Sequence, residues 1–169
     1  MGEKDDDNTA CTKRGFAANY EYLCVCTKQM ICSGNVKQWG NDRPSLETIQ
    51  EDIDKRQSFV LINQECICGV FAFIMGDDPT YQVIEGGSWL NDAPYGTIHR
   101  IAANGKINGI FAAALAFCEN KIQNIRIDTH ADNQIMQHLL SKHGFQQCGC
   151  IYVEDKTKRI AYQKICLRN

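Results

Sequence analysis

The stretch Ile98-His99-Arg100-Ile101-Ala102-Ala103-Asn104-Gly105-Lys106-Ile107-Asn108-Gly109-Ile110-Phe111 decides how this chain is read. Residues 97–102 are β-rich and predict a strand, ended abruptly by the turn formers Asn104 and Gly105. Beyond them Ile107, Ile110, Phe111, Ala114, Leu115 and Cys118 fall at i, i+3, i+4, i+7, i+8 and i+11, the apolar stripe of one helix. A helix entered from a short loop presents unpaired backbone N–H groups and the positive end of its dipole, so a pyrophosphate fits there. Gly109 permits close backbone approach at that point and Lys106 adds a cation. The same spacing also describes a plain strand-to-helix connection with no ligand. The nucleotide loops G-x-x-x-x-G-K-[ST] and G-x-G-x-x-G are both absent.

Working outward, the pattern predicts a helix over 16–32, stopped by Gly34 and Asn35, and a second helix capped by Ser45 after Pro44. In that second helix Leu46, Ile49 and Ile53 recur at helical spacing as far as Lys55. Residues 59–62 and 67–74 read as an antiparallel hairpin about the polar turn Asn63-Gln64-Glu65. Downstream come a strand over 124–129, a short helix over 135–140 ended by Gly144, and two closing strands over 148–153 and 159–165. The expected architecture is α/β (α+β), with a mixed, mostly antiparallel central sheet flanked by helices.

At 169 residues the chain suits one domain, expected over 11–169 behind an acidic, solvated head at 1–10. The net charge of -2 is concentrated in that head, where Glu3, Asp5, Asp6 and Asp7 face only Lys4. The remaining chain is near neutral and lacks the basic footprint of a nucleic-acid binder. No apolar run is long enough to span a bilayer, and Met1 does not lead into a basic and then apolar segment, so the expected compartment is the cytoplasm, with no membrane partner. Of ten cysteines, six form the pairs Cys24/Cys26, Cys66/Cys68 and Cys148/Cys150. The C-x-C spacing is poor for structural zinc, so no metal is expected, and the latter two pairs are read as small hydrophobes within strands.

The element order resembles the GNAT superfamily of N-acetyltransferases from about Phe16 to Ile165. Two blocks carry the resemblance. In the first, Lys106 takes the leading position and Gly109 the first glycine of the R/Q-x-x-G-x-G/A acyl-CoA motif. In the second, Asn133-Gln134-Ile135-Met136-Gln137-His138-Leu139-Leu140-Ser141-Lys142-His143-Gly144-Phe145 is similar to N-x-x-A-x-x-L-Y…G-F. Trp89-Leu90-Asn91-Asp92, Pro94-Tyr95 and the strand leading to His130 look like a small bacterial subgroup of that family. Phe111 replaces the last small residue of the acyl-CoA motif, Lys106 its usual Arg or Gln, and Leu140 the tyrosine that protonates the leaving thiolate in many members.

The resemblance implies transfer of an acetyl group from acetyl-CoA to an amine of a small molecule or peptide. It implies that the cofactor lies against Ile101, Ala102 and Ala103, the loop Lys106, Ile107, Asn108, Gly109, Ile110 and Phe111, and Asn133 and Met136. A homodimer stays open. An alkylammonium must lose a proton before it attacks, and His99, on the strand beside the expected thioester, is the candidate base, its rival reading a hydrogen-bonded core histidine. Tyr95 and Tyr152 are candidate acids, each also readable as a packed aromatic. Glu85, Trp89, Asn91 and Asp92 would border an acceptor pocket, acid beside aromatic suiting a cationic amine, unless they form an ordinary surface loop. Two other classes compete: a non-catalytic acyl-CoA-binding or sensory module, and a cysteine-based redox or metal protein.

Overall fold

The computed structural model describes residues 44–64, 66–105 and 107–166. The expected helix over 16–32, the acidic head, Cys24, Cys26 and Lys106 lie outside the described residues. Helix α1 (Leu46–Asp54) begins where Ser45 lies extended and its Oγ accepts from the Thr48 amide at 3.2 Å, the cap its sequence predicts. Strands β1 (Ser58–Asn63) and β2 (Cys66–Met75) form the expected antiparallel hairpin. Strand β3 (Gly96–Ala103), helix α2 (Ile110–Lys121), strand β4 (Asn124–Thr129) and helix α3 (Gln134–Lys142) follow, and the edge pair β5 (Gln146–Tyr152) and β6 (Lys158–Ile165) closes the chain. The six strands form one sheet in the order β1-β2-β3-β4-β6-β5, antiparallel everywhere except between β3 and β4.

Successive residues of a strand face opposite sides of the sheet, and here the two sides carry different contents. On one side Phe71, Ile98, Ile125 and Ile127 meet Ala114, Leu115 and Cys118 of α2 and Met136 and Leu140 of α3 in the main core. Burying each such large apolar side chain is worth about 1.5–3 kcal/mol. On the other side Tyr81, Tyr95, Ile151 and Ala161 form a smaller cluster, with Trp89 packed against it.

Two expectations are corrected. Helix α2 starts at Ile110, not at Ile107, because Gly109 sits at φ 86 in the left-handed region and turns the chain there. Ile107 falls outside the buried stripe and is 37% exposed, although its spacing matches it. The cysteine pairs do not pack alike either. Cys68 and Cys148 are buried, and the Cys68 thiol donates to the Leu61 carbonyl at 3.1 Å, but Cys66 is exposed at the start of β2. Among the described residues no group of three or more His, Cys, Asp or Glu side chains is arranged to hold a metal ion.

Candidate active site

The parallel strands β3 and β4 are paired only at Gly96 with Ile125 and Thr97 with Arg126. Beyond Thr97 they part. On the other edge of β3 the register with β2 jumps from Ala72 opposite His99 to Val70 opposite Ala102. One residue, Phe71, therefore faces two, Arg100 and Ile101, which makes a β-bulge. Arg100 stands at φ 52, left-handed for a residue with a side chain. Neither Arg100 nor Ile101 has a registered partner on either neighbouring strand. A cleft of about 800 Å³ opens over this region, lined among others by Asp52 of α1, His99, Arg100 and Ile101 of β3, Asp128 of β4 and Met136 of α3.

His99 is held by a carboxylate. Its Nε2 lies 3.0 Å from Asp78 Oδ2, and the other oxygen of Asp78 accepts from the amide and hydroxyl of Thr80 at 2.8 and 2.7 Å. Burial by itself would push the Asp78 carboxyl up, but the hydrogen bonds from His99 and Thr80 and the charge of His99 outweigh it and hold the group at about 2. Asp78 is thus ionised at neutral pH. In a neutral His99 that donates Nε2–H to this carboxylate, Nδ1 keeps its lone pair and is the atom able to take a proton. Nothing in the sequence links Asp78 to a residue 21 positions later. The local signal is Asp78-Pro79-Thr80, a capped turn that opens a short 3₁₀ helix (Pro79–Tyr81).

The remaining candidates from the sequence fall into three places. Tyr95 is 5% exposed, its hydroxyl accepts from the Asp78 amide at 3.0 Å, and its ring lies 3.9 Å from the Arg126 guanidinium. Trp89 covers the same guanidinium at 4.1 Å, so the two aromatics sandwich a buried cation. The Asn91 side-chain oxygen accepts from Asn124 at 2.8 Å and Gln163 at 3.2 Å, tying residues 90–93 to β4 and β6, and Asp92 is exposed. Glu85 and Tyr152 meet each other, the hydroxyl donating to the carboxylate at 3.1 Å, and neither lines the cleft. Of the proposed catalytic and acceptor-pocket residues, His99 alone reaches the cleft, with Tyr95 connected to it through Asp78. Asp128 was not singled out from the sequence, yet it lines the cleft, accepts from the buried Tyr81 hydroxyl at 2.6 Å and lies 4.0 Å from Arg159.

Of the expected cofactor residues, Ile101 and Met136 line the cleft. The side chains of Ile110 and Phe111 are buried in the main core, so these two residues offer a ligand their backbone N–H groups and not their side chains. Gly109 caps the α2 terminus without a side-chain bond, and a Cβ added there would meet no atom of the described residues within 4 Å, so among them the approach is open. Ile107 and Asn108 are exposed beside it, Ala102 is buried and Ala103 half-buried. Asn133 is 6% exposed and caps α3, its side-chain oxygen accepting from the Met136 amide at 3.1 Å. Leu140 is fully buried in the main core.

No protein-family model and no curated protein sequence matches the chain. Solved structures do. A GNAT-family acetyltransferase from Streptococcus agalactiae is 29% identical, with a TM-score of 0.84 over 95% of both chains. A ribosomal-protein-alanine N-acetyltransferase from Brucella melitensis shares the fold at 16% identity, with a TM-score of 0.60 over 93% of this chain and 98% of that one. A chain of the NatC complex bound to Gag peptide and CoA shares it at 12% identity, with a TM-score of 0.61 over 92% of this chain and 93% of that one. The six-stranded sheet, the parting of its parallel pair beside a bulge, and the end-to-end likeness to the streptococcal enzyme make this chain a member of the GNAT superfamily of acetyltransferases.

Proposed function

We propose that this protein transfers an acetyl group from acetyl-CoA to a primary amine of a small molecule or peptide, in the cytoplasm. The observation that carries the reading is the parting of β3 and β4 after Thr97 beside a bulge at Arg100 and Ile101, neither of which is in register with a residue of β2 or β4. The open N-terminus of α2 supports it as a place for phosphates. Further support comes from the CoA bound to the structurally similar NatC complex and from the amine acceptor named for the Brucella enzyme. The six free thiols among the described residues suit a reducing compartment.

Acetyl-CoA supplies an activated acyl group as a thioester. The chain's own residues do the rest. The backbone N–H groups at the start of α2 hold the phosphates, and the bulged main chain at Ile101 is placed to offer a donor to the thioester carbonyl. His99, oriented by the Asp78 carboxylate, takes the proton that the ammonium must lose before its nitrogen attacks. The new C–N bond replaces the C–S bond, and the thiolate leaves with a proton from solvent or the relayed one.

One observation favours a second reading, a non-catalytic acyl-CoA-binding or sensory module: the position where the family places a proton-donating tyrosine holds Leu140, fully buried. A single experiment separates the two. Acetyl-CoA binding is measured by calorimetry, and CoA release and acetylated product are then followed by mass spectrometry over a panel of alkylamines, diamines and peptides. Binding with acetylated product supports the enzyme, binding with none across the panel supports the module, and absence of binding removes both.

A further inference from the structure

Asp52 occupies the second half of α1, where a carboxylate faces the negative end of the helix dipole and no basic residue of the last turn compensates it. It is nonetheless 7% exposed. Its partner comes from 48 residues away. Arg100 Nε and Nη2 each donate to one oxygen of Asp52, both at 2.7 Å, a fork-to-fork geometry that only a guanidinium provides. Arg100 is the residue of the β3 bulge that stands at φ 52, a conformation uncommon for residues with a side chain and, inside a strand, one that its surroundings must hold. The constraint is visible: two charge-assisted bonds draw the Arg100 side chain to α1 on the face that carries Val70 and Ala72. His99 precedes Arg100 and Ile101 follows it, and all three line the cleft.

We propose that Asp52 and Arg100 are positioning residues, a two-bond strut from α1 that holds the β3 bulge so that the main chain at Ile101 and the imidazole of His99 face the reacting thioester and amine. The proposal rests on the acetyl-transfer reading. A bulge without the strut relaxes toward regular pairing with β2, which displaces Ile101 and rotates His99 with it. Misplacement of reacting groups by about 1 Å costs about 10²-fold in rate.

Removing one partner of a buried ion pair also destabilises a protein, so the test must separate position from stability. Three variants do so: Asp52→Asn, Arg100→Gln, and the apolar double Asp52→Leu/Arg100→Met, which removes the charges together. For each, Tm, kcat and KM for acetyl-CoA are measured, together with the ¹⁵N–¹H resonance of the Ile101 amide. The two single variants are expected to lose about 10²-fold in kcat with KM for acetyl-CoA little changed. The double is expected to regain much of the Tm but not the kcat, and the Ile101 resonance to move in all three. A double variant that recovers kcat along with Tm overturns the strut as a positioning device. Wild-type protein that turns over no amine overturns the acetyl-transfer reading instead, and the strut is then judged on the amide of Asp52→Asn alone, where the substitution is remote in sequence; an unmoved Ile101 resonance in that variant refutes it.

Discussion

Replacing Asp78 with Asn keeps an oxygen able to accept from Thr80 but removes the negative charge that faces His99. In the folded protein the Asp78 carboxyl is held at about 2, against an ordinary value of 3.8. That difference corresponds to about 2 kcal/mol of stability from the ionised group at neutral pH. The pair is mostly shielded, with about one-sixth of each side chain exposed, so solvent screening removes only part of it. Because the folded value lies below the unfolded one, the contribution is complete above the unfolded pKa and disappears as pH falls through about 2. The variant should therefore melt about 4–8 °C below wild type near pH 7, and the gap should close as the pH falls from about 4 toward about 2. Thermal melts of both proteins across that range measure it. A gap that is absent at neutral pH, or that stays constant down to the acid limit, refutes the assignment of Asp78 as the carboxylate partner of His99.

His99→Ala should lower the acetylation rate by about 10²- to 10⁴-fold while leaving acetyl-CoA affinity nearly intact, and an unchanged pH–rate profile would return His99 to the role of a bonded core histidine. Gly109→Leu puts a side chain at φ 86, costing about 1–2 kcal/mol, and fills the open approach to the α2 terminus; calorimetry should show acetyl-CoA affinity falling by about tenfold or more in a protein that still folds. Arg126→Met removes the guanidinium between Trp89 and Tyr95 and should cost about 1–4 kcal/mol in urea unfolding, with cofactor affinity unchanged because these rings do not line the cleft.

Local signals in the sequence were enough for most of the described fold. Ser45 announces α1 because a cap acts over three residues, and the hairpin is legible because its turn is polar and both its strands are apolar and β-rich. The start of α2 was misread because Ile107 continues the helical period, while the left-handed turn at Gly109 that interrupts it leaves no mark on periodicity. The site was legible only where it lies along one strand. His99 and Ile101 follow from the strand-to-loop junction, but what fixes them comes from elsewhere: Asp78 from a capped turn and Asp52 from a different helix. From the sequence Trp89 and Asn91 read as the border of an acceptor pocket or as an ordinary surface loop, and their partners Arg126, Asn124 and Gln163 lie on strands that only the tertiary fold brings near. Pairings of this kind depend on sheet order and on the opening between β3 and β4, neither of which a one-dimensional pattern contains.

Under the proposed function, acetyl-CoA binds where β3 and β4 part, against the bulge and the start of α2. Titrating ¹⁵N-labelled protein with acetyl-CoA and following the backbone amides tests it directly. The largest shifts are expected at residues 101–103 and 107–111, with the exposed Val83 and Ile165, which do not line the cleft, unmoved. Saturating acetyl-CoA that moves no amide, or moves only residues away from this junction, would contradict it.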